Sequence, residues 1–240
     1  MTNKEKIATE NRILDRKRQA LRIVKHHSIF AAVAALSPLP ITDVAGIGGV
    51  QLTMLIKISK IYNIEANIDY FGNMIKGSLG GFVTGKILEW ASSMVKTIPG
   101  IGTILGIAIQ PPVAFVVTYA IGRAFIFFLE EGKSPTEISE QEFSKKMNEF
   151  KVEAKEEFKK SKNEILKKKD DKKYIKEERR EIEELLKPFS EVVVKDFIQS
   201  FIQNLKESRE IAIQNLKLEE DINEVIKEIK NKKGEKDNDE

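Results

Sequence analysis

The chain has 240 residues, with 40 Lys and Arg against 37 Asp and Glu and a formal net charge of +3. That near balance is unlike the one-sided charge of a dedicated nucleic-acid-binding protein. The absence of cysteine excludes disulfides and thiolate metal sites, and two histidines leave little basis for zinc or Ser-His chemistry.

Charge is unevenly distributed along the chain. Charged residues crowd positions 1–25 and 130–240, whereas the stretch between them is largely apolar. No strand-like alternation occurs, so we predict an all-α protein. Three parts are expected: a basic amphipathic helix (1–27), an apolar glycine-rich helical domain (28–132), and a charged helical arm with a frayed C-terminus (133–240).

The first predicted helix follows a capping-box sequence, Thr2–Glu5, and carries apolar residues on one face. No signal peptide precedes the first apolar run near Ser28, so we expect a cytoplasmic N-terminus. Two interpretations stay open: a solvated amphipathic helix, or a basic face that lies on anionic lipid headgroups. The second makes five basic residues candidates for the membrane surface: Arg16, Lys17, Arg18, Arg22 and Lys25.

Two further helices are predicted in the apolar domain. The sequence Ser37–Pro40 ends the first helix, because proline lacks an amide donor and restricts the residue before it. A second helix, capped by Thr42 or Asp43, is predicted to reach about Tyr62. A third is predicted for residues 69–96.

An uncharged stretch, residues 97–122, raises the question of membrane insertion. A membrane-spanning helix needs about 20 largely apolar residues, so the stretch is long enough. Pro111, Pro112 and several glycines interrupt it. A buried core hairpin with the prolines at its turn is therefore the alternative.

Glycines in the third predicted helix also allow two interpretations. The sequence from Gly80 to Lys86 approximates the phosphate-binding loop, but Ile87 replaces the hydroxyl residue and no strand pattern precedes it. Alternatively, glycines recur at intervals of four: Gly77, Gly81 and Gly85, then Gly102 and Gly106. Such a stripe lets a second helix backbone approach closely. We therefore predict helix packing, within the chain or in a homo-oligomer, and no nucleotide or cofactor site.

Two isolated charges, Asp43 and Arg123, lie in apolar surroundings. Either would mark a polar pocket or pore, although such charges more often cap a helix or reach the membrane interface. No carboxylate pair, metal cluster or nucleophile–base set is found, so no catalytic or metal-binding residue is predicted.

The charged arm is also predicted to be helical. Ser139–Glu142 forms a second capping box, which opens a Lys/Glu-rich helix to about Leu186 with a solvated break at residues 167–173. Pro188 fits the first turn of a last helix, in which apolar residues recur at intervals of three and four.

Short motifs in the apolar domain match a known pattern. The pattern begins with PLPITD at residues 38–43 and continues with QLTMLIKISKIY at residues 51–62. Residues 98–102 and 118–122 match the segments with which the same pattern usually ends. Over about residues 28–132 the chain resembles a bacterial family, domain-of-unknown-function family 697. Asn63 stands where glycine is common, and the chain has no GTPase domain.

Members of that family are often fused to, or encoded beside, small GTP-binding domains and are regarded as membrane-associated. The resemblance therefore implies a stand-alone, membrane-associated module that serves a separate GTPase.

Together these patterns favour a non-enzymatic helical protein of the cytoplasmic membrane, which anchors or remodels it. One alternative is a pore-forming, toxin-like protein whose helical hairpin inserts conditionally. Another is a soluble helical-bundle adaptor. The expected partners are a lipid membrane, a small GTPase and a second copy of the chain, with no nucleic acid and no cofactor.

Overall fold

The computed structural model describes residues 3–36, 47–76, 79, 82–83, 85–95 and 111–200, with 202–204, 206–208, 210–211 and 213–214 beyond them. These residues form helices joined by turns, and none of them lies in a strand. The predicted all-α fold is confirmed.

Within these ranges, α-helices with defined ends follow one another along the chain. They are α1 (Asn3–Leu36), α2 (Ile47–Ile61), α3 (Ile68–Lys76), α4 (Gly85–Val95), α5 (Pro111–Glu130), α6 (Glu140–Glu149), α7 (Lys151–Lys168) and α8 (Lys172–Leu186). A 3₁₀ turn, Pro135–Glu137, lies between α5 and α6. Residues 191–200 are helical as well.

Local sequence explains where several helices begin and end. The first helix ends at Leu36, just before Pro38, as predicted. Pro111 and Pro112 open α5 instead of interrupting it, because the first helical turn needs no amide donors. The capping box of α6 is confirmed: Ser139 Oγ accepts from Glu142 N at 3.3 Å, and Glu142 Oε2 accepts from Ser139 N at 3.1 Å.

The single helix predicted for residues 69–96 is wrong. α3 ends at Lys76 and α4 begins at Gly85, and the described residues between them, Leu79, Phe82 and Val83, lie in turns or bends. Leu79 and Phe82 are fully buried. Since glycines weaken a helix by up to about 1 kcal/mol each, burial of these two side chains outweighs helix continuation.

The long helix predicted in the charged arm is divided as well. The break predicted within residues 167–173 is confirmed, since α7 ends at Lys168 and α8 begins at Lys172. A second break, at Phe150, was not predicted. The guanidinium of Arg123 lies 4.6 Å from the centre of the Phe150 ring, a tertiary contact that sequence periodicity does not reveal.

The centre of the fold is α5, which packs against α1, α2, α4, α6 and α7. All of its residues except Arg123, Phe127 and Glu130 are buried. One continuous hydrophobic core runs from α1 to the helical residues 191–200. The predicted boundary between residues 27 and 28 therefore falls inside α1, and α7 of the predicted arm packs on the apolar domain.

Candidate functional site

Helices α1 and α5 lie side by side and run in opposite directions. Lys17, in the first half of α1, pairs with Glu130 at the C-terminal end of α5. Val24, farther along α1, lies against Gly122, which is earlier in α5. The C-terminal end of α1 is therefore level with the start of α5.

Helices α2 and α5 run in the same direction. Gln51 of α2 hydrogen-bonds to Thr118 of α5. Farther along both helices, Tyr62 Oη donates to Glu130 Oε1 at 3.3 Å. The start of α2 is therefore level with the start of α5 and with the end of α1.

Polar and charged side chains gather where α2 and α5 end. The guanidinium of Arg16 lies 4.5 Å from the centre of the Tyr62 ring, and Lys17 pairs with Glu130. Burial and the Glu130 carboxylate raise the pKa of Tyr62, so its hydroxyl remains a proton donor. We call these four residues the charged end of the bundle.

The opposite end of the same three helices carries no charge. Residues 28–36 of α1, 47–56 of α2 and 111–122 of α5 contain no Asp, Glu, Lys or Arg. We call these residues the uncharged end. The chain segments next to these helix ends are similar in composition, since residues 97–110 have no charge and residues 37–46 have only Asp43.

Within the described ranges, α5 is the helix long and apolar enough to cross a membrane. It has 20 residues, and an 18-residue window within it has a mean hydropathy of 1.9. A helix of that length extends about 30 Å, the thickness of a bilayer's hydrocarbon core. Buried core helices of water-soluble proteins share this composition, so composition alone does not distinguish a core helix from a membrane-spanning one.

A buried polar pair joins α2 to α5 within the uncharged end. Gln51 Nε2 donates to Thr118 Oγ1, which donates in turn to the Ala114 carbonyl oxygen at 2.7 Å. Gln51 and Thr118 are both fully buried, and Gln51 Oε1 has no hydrogen-bond partner among the described residues. Sliding one helix along the other would break this hydrogen bond and leave a buried polar group unsatisfied. The pair therefore fixes the relative position of α2 and α5.

Gly122 of α5 lies against side chains of both α1 and α2. A Cβ atom at this position would lie 2.5 Å from Val24 Cγ2 and 3.0 Å from Met54 Sδ. Gly122 thus has the close-packing role that we predicted for other glycines, although it was not among the glycines predicted to pack. Its place as the one glycine of α5 was the available signal.

Helix α7 covers the side of α5 with an aromatic cluster. Phe158 is buried, and its ring centre lies 5.4 Å from that of Phe115 on α5 and 5.6 Å from that of Trp90 on α4. The buried residues of α7 recur at helical intervals: Ala154, Phe158, Ser161 and Ile165. The amphipathic pattern of the arm therefore serves to cover α5.

Polar contacts border this aromatic cluster on one side. Glu153 of α7 accepts hydrogen bonds from Tyr119 Oη at 2.8 Å and from Arg123 Nη2 at 3.0 Å. Arg123 thus connects α5 to α7 through an ion pair. Asp43 lies outside the described residues, so a polar pocket formed with Arg123 stays a prediction.

Two lysines of α7 cover aromatic rings. The Lys151 ammonium lies 4.8 Å from the centre of the Phe82 ring, and that of Lys155 lies 5.2 Å from the Trp90 ring. Burial, with a smaller contribution from the nearby Lys155, lowers the pKa of Lys151 to about 8. These lysines lie on apolar surface that would otherwise face solvent.

The two histidines lie where α1 meets α2 and α8. His26 Nε2 is 2.9 Å from Glu178 Oε1 on α8. His27 is buried, and its Nδ1 lies 2.8 Å from the Ile23 carbonyl oxygen. Burial, with the neighbouring Lys57 and His26, lowers the pKa of His27 to about 3, so the imidazole is neutral at physiological pH.

Three of the five basic residues predicted to lie on a membrane surface make contacts within the protein. Lys17 pairs with Glu130 of α5, and Lys25 pairs with Glu157 of α7 at 2.7 Å. Arg16 stacks on an aromatic ring at the charged end. Their partners are distant in sequence, so the amphipathic pattern of α1 did not reveal them.

The other two residues of that set are exposed. Arg18 pairs with Asp15 at 2.9 Å on the outer surface of α1. Arg22 lies on the exposed side of the same helix. Contact of any of the five with lipid stays a prediction.

The predicted glycine stripe falls largely outside the described residues. This holds for Gly77, Gly81, Gly102 and Gly106, whereas Gly85 is the first residue of α4. Packing through this stripe stays a prediction. Because α3 and α4 are separate helices, Gly85 does not lie on the helix that ends at Lys76.

The described residues before Gly80 do not have the form that a phosphate-binding loop requires. The segment before Gly80 is helix α3, whereas a phosphate-binding loop follows a strand. Among these residues no group of three or more His, Asp or Glu side chains is placed to hold a metal ion.

Comparisons with known proteins agree with the sequence motifs. The family described as domain of unknown function DUF697 matches residues 2–168, which extends beyond the predicted 28–132 in both directions. Over 115 residues the chain is 34% identical to magnetosome membrane protein 22 of Magnetospirillum gryphiswaldense, covering 47% of this chain and 58% of that protein. The chain matches no solved structure. Because the family match covers more than half of its residues, the protein belongs to the DUF697 family.

Proposed function

We propose that the protein is a non-enzymatic helical protein that anchors to a lipid bilayer through the uncharged end of its bundle. The observation that carries the proposal is the shared level of residues 28–36, 47–56 and 111–122, none of which is charged. The chain segments next to them contain one charged residue between 37 and 46 and none between 97 and 110. Uncharged, apolar segments of that composition gain free energy in hydrocarbon relative to water wherever the bundle leaves them exposed.

The backbone of this region is compatible with lipid. Within a helix, most amide and carbonyl groups are hydrogen-bonded to each other, so only the groups at the helix ends need partners that hydrocarbon cannot supply. The charged end, with Lys17 and Glu130, would face the cytoplasm beside the cytoplasmic membrane, together with the N-terminus. A relative at 34% identity is named a membrane protein, and this supports the same assignment.

Conditional insertion is the second candidate. Phe158 and the helix that carries it cover α5, so α5 contacts lipid only after α7 moves away. A pore-forming protein that opens in this way would release dye from vesicles, whereas an anchor would bind without releasing it.

A partner is also part of the proposal. The family resemblance supports a separate small GTPase, and the predicted glycine stripe supports a homo-oligomer. Co-purification with candidate GTPases loaded with GTP or GDP tests the first, and cross-linking in isolated membranes tests the second.

Membrane fractionation of cells that express the full chain tests the main proposal. We expect the protein in the membrane pellet after carbonate extraction, and we expect the purified protein to float with liposomes. A chain that is recovered monodisperse without detergent and does not float would contradict the proposal and favour the soluble adaptor.

A further inference from the structure

Two side-chain contacts join α8 to α1, and their order along the two helices is opposite. His26 of α1 contacts Glu178 of α8 at 2.9 Å. Phe30, one turn farther along α1, meets Tyr174, one turn earlier in α8, with ring centres 5.8 Å apart. The C-terminal end of α1 therefore lies near the N-terminal end of α8.

The turn between α7 and α8 is consequently level with the uncharged end. Lys168, the last residue of α7, places its ammonium 4.4 Å from the centre of the Tyr174 ring. Tyr174 in turn lies against Phe30, which belongs to the uncharged end. The α7–α8 turn thus flanks the part of the bundle that carries no charge of its own.

This turn is dense in positive charge. The sequence from 167 to 173 reads KKKDDKK, and Lys176, Arg179 and Arg180 follow within two turns of α8. Lys167, Lys172 and Lys176 are exposed and have no carboxylate within 4 Å among the described residues. Their charges are therefore available to an external anion.

The outer face of α8 also forms an open groove of about 520 Å³. Its lining residues are Lys172, Ile175, Lys176, Arg179, Arg180 and Glu183. Four of these side chains are cationic, and the groove also includes an isoleucine. A basic surface with an apolar residue, adjacent to an apolar region, is what the interface of an anionic bilayer accommodates.

We propose that the α7–α8 turn and the outer face of α8 bind anionic phospholipid headgroups when the uncharged end enters the bilayer. This inference rests on the proposed function and moves the basic membrane-contact site from α1 to α8. The α1 residues Lys17 and Arg16 lie at the opposite, charged end of the bundle. The α7–α8 turn is where headgroup phosphates meet a protein whose apolar end lies in hydrocarbon.

The test is a vesicle-binding titration with the full chain. One set of vesicles is phosphatidylcholine alone, and the other is phosphatidylcholine mixed with phosphatidylglycerol. The test variant is K167Q/K172Q/K176Q. We expect it to bind the anionic vesicles about 100-fold more weakly than the unaltered chain, since each lysine near an anionic surface contributes roughly a factor of 5.

Two controls isolate the position of the charge. K6Q/K60Q/K145Q removes the same charge from exposed lysines of α1, α2 and α6, and we expect it to lose much less binding. K167R/K172R/K176R keeps the charge and should bind like the unaltered chain. Circular dichroism and thermal melting show whether each variant is folded.

Each outcome decides between the two proposals. If the unaltered chain binds neutral and anionic vesicles equally, and K167Q/K172Q/K176Q binds them just as well, the headgroup site is wrong. The membrane-anchor proposal is unaffected by that result. Failure of the unaltered chain to bind either vesicle overturns the anchor itself. If K167Q/K172Q/K176Q loses affinity for RNA but keeps its affinity for anionic vesicles, the basic surface is a nucleic-acid site and the headgroup proposal is wrong.

Discussion

The two ends of the helical bundle are stabilised by different interactions. At the charged end, Arg16, Lys17, Tyr62 and Glu130 interact through an ion pair, a cation–π contact and a hydrogen bond near solvent. At the uncharged end, close packing and a buried amide–hydroxyl pair hold the helices together. Packing contacts in a core contribute more than partly exposed ion pairs. The uncharged end should therefore dominate stability, and the following predictions test that comparison.

The largest effect is expected from Phe158→Ala. Phe158 is buried against Phe115 and Trp90, so its removal leaves a cavity between α7 and α5. We expect a loss of about 3–5 kcal/mol in the free energy of unfolding, measured by urea titration. Val152→Ala, at a position on the same helix that is 72% exposed, should have almost no effect. Equal losses in both variants would show that α7 does not pack on α5.

Lowering the pH should destabilise the folded protein through protonation of His27. Its pKa falls from 6.5 to about 3 on folding, so the unfolded chain binds the proton more tightly between these values. Stability contributed by neutral His27 is present above pH 6.5 and is lost as the pH falls toward 3, by about 2–3 kcal/mol at pH 4.5. Urea titrations at several pH values measure it.

The matched variants for this prediction are His27→Gln and His26→Gln. His27→Gln should remove that share of the acid loss, and His26→Gln should retain most of it, since burial contributes more to the low pKa of His27 than the neighbouring His26 does. The nearby charged groups, Lys57 on α2 and Glu178 on α8, are the same in both variants. Identical pH profiles for the two would contradict a buried neutral His27.

A smaller effect is expected from Gly122→Ala. The added methyl group would lie 2.5 Å from Val24 and 3.0 Å from Met54, so α1 or α2 must move. We expect a loss of about 1–3 kcal/mol in urea titration. Gly72→Ala is the matched control, because its Cβ would lie 3.6 Å from Phe197, an ordinary contact. A neutral Gly122→Ala would mean that the three helices pack less closely than described.

The buried polar pair should contribute about 1–2 kcal/mol. Thr118→Val removes the acceptor of Gln51 Nε2 and leaves a buried amide unsatisfied, which destabilises the protein. Gln51→Met in the same chain removes that amide and should recover most of the loss. A double-mutant cycle from thermal melts measures the coupling, and additive effects would rule out the hydrogen bond.

The smallest effect is expected at the charged end. Lys17 is 42% exposed and Glu130 is 19% exposed, so solvent and salt screen their ion pair. Lys17→Met should change the free energy of unfolding by less than about 1 kcal/mol and less still at high salt. A loss as large as that of Gly122→Ala would reverse the comparison between the two ends.

Features set by local chemistry were predictable from the sequence. Pro38 follows the end of the first helix, Ser139 and Glu142 form the predicted capping box, and the KKKDDKK segment contains the predicted break. Each depends on residues within a few positions of one another. The helical fold class and the family followed from the same kind of pattern.

Features that depend on distant partners were not predictable. The turn between α3 and α4 exists because Leu79 and Phe82 enter the core, and α1 periodicity cannot reveal that Lys25 meets Glu157. The role of Gly122 was not predicted because it depends on Val24, which lies on another helix. The sequence shows which stretches lack charge. That three uncharged helix ends lie at the same level depends on how the helices are aligned, which the sequence alone does not reveal.

A paired fluorescence measurement tests the membrane anchor most directly. Because the chain has no cysteine, Ala34→Cys at the uncharged end and Glu65→Cys beyond the charged end each accept a single environment-sensitive label. On addition of vesicles that carry nitroxide-labelled acyl chains, the label at position 34 should shift to the blue and be quenched. The label at position 65 should remain in water. Labels that stay aqueous at both positions, or that are quenched equally, would contradict a bundle that enters the bilayer by its uncharged end.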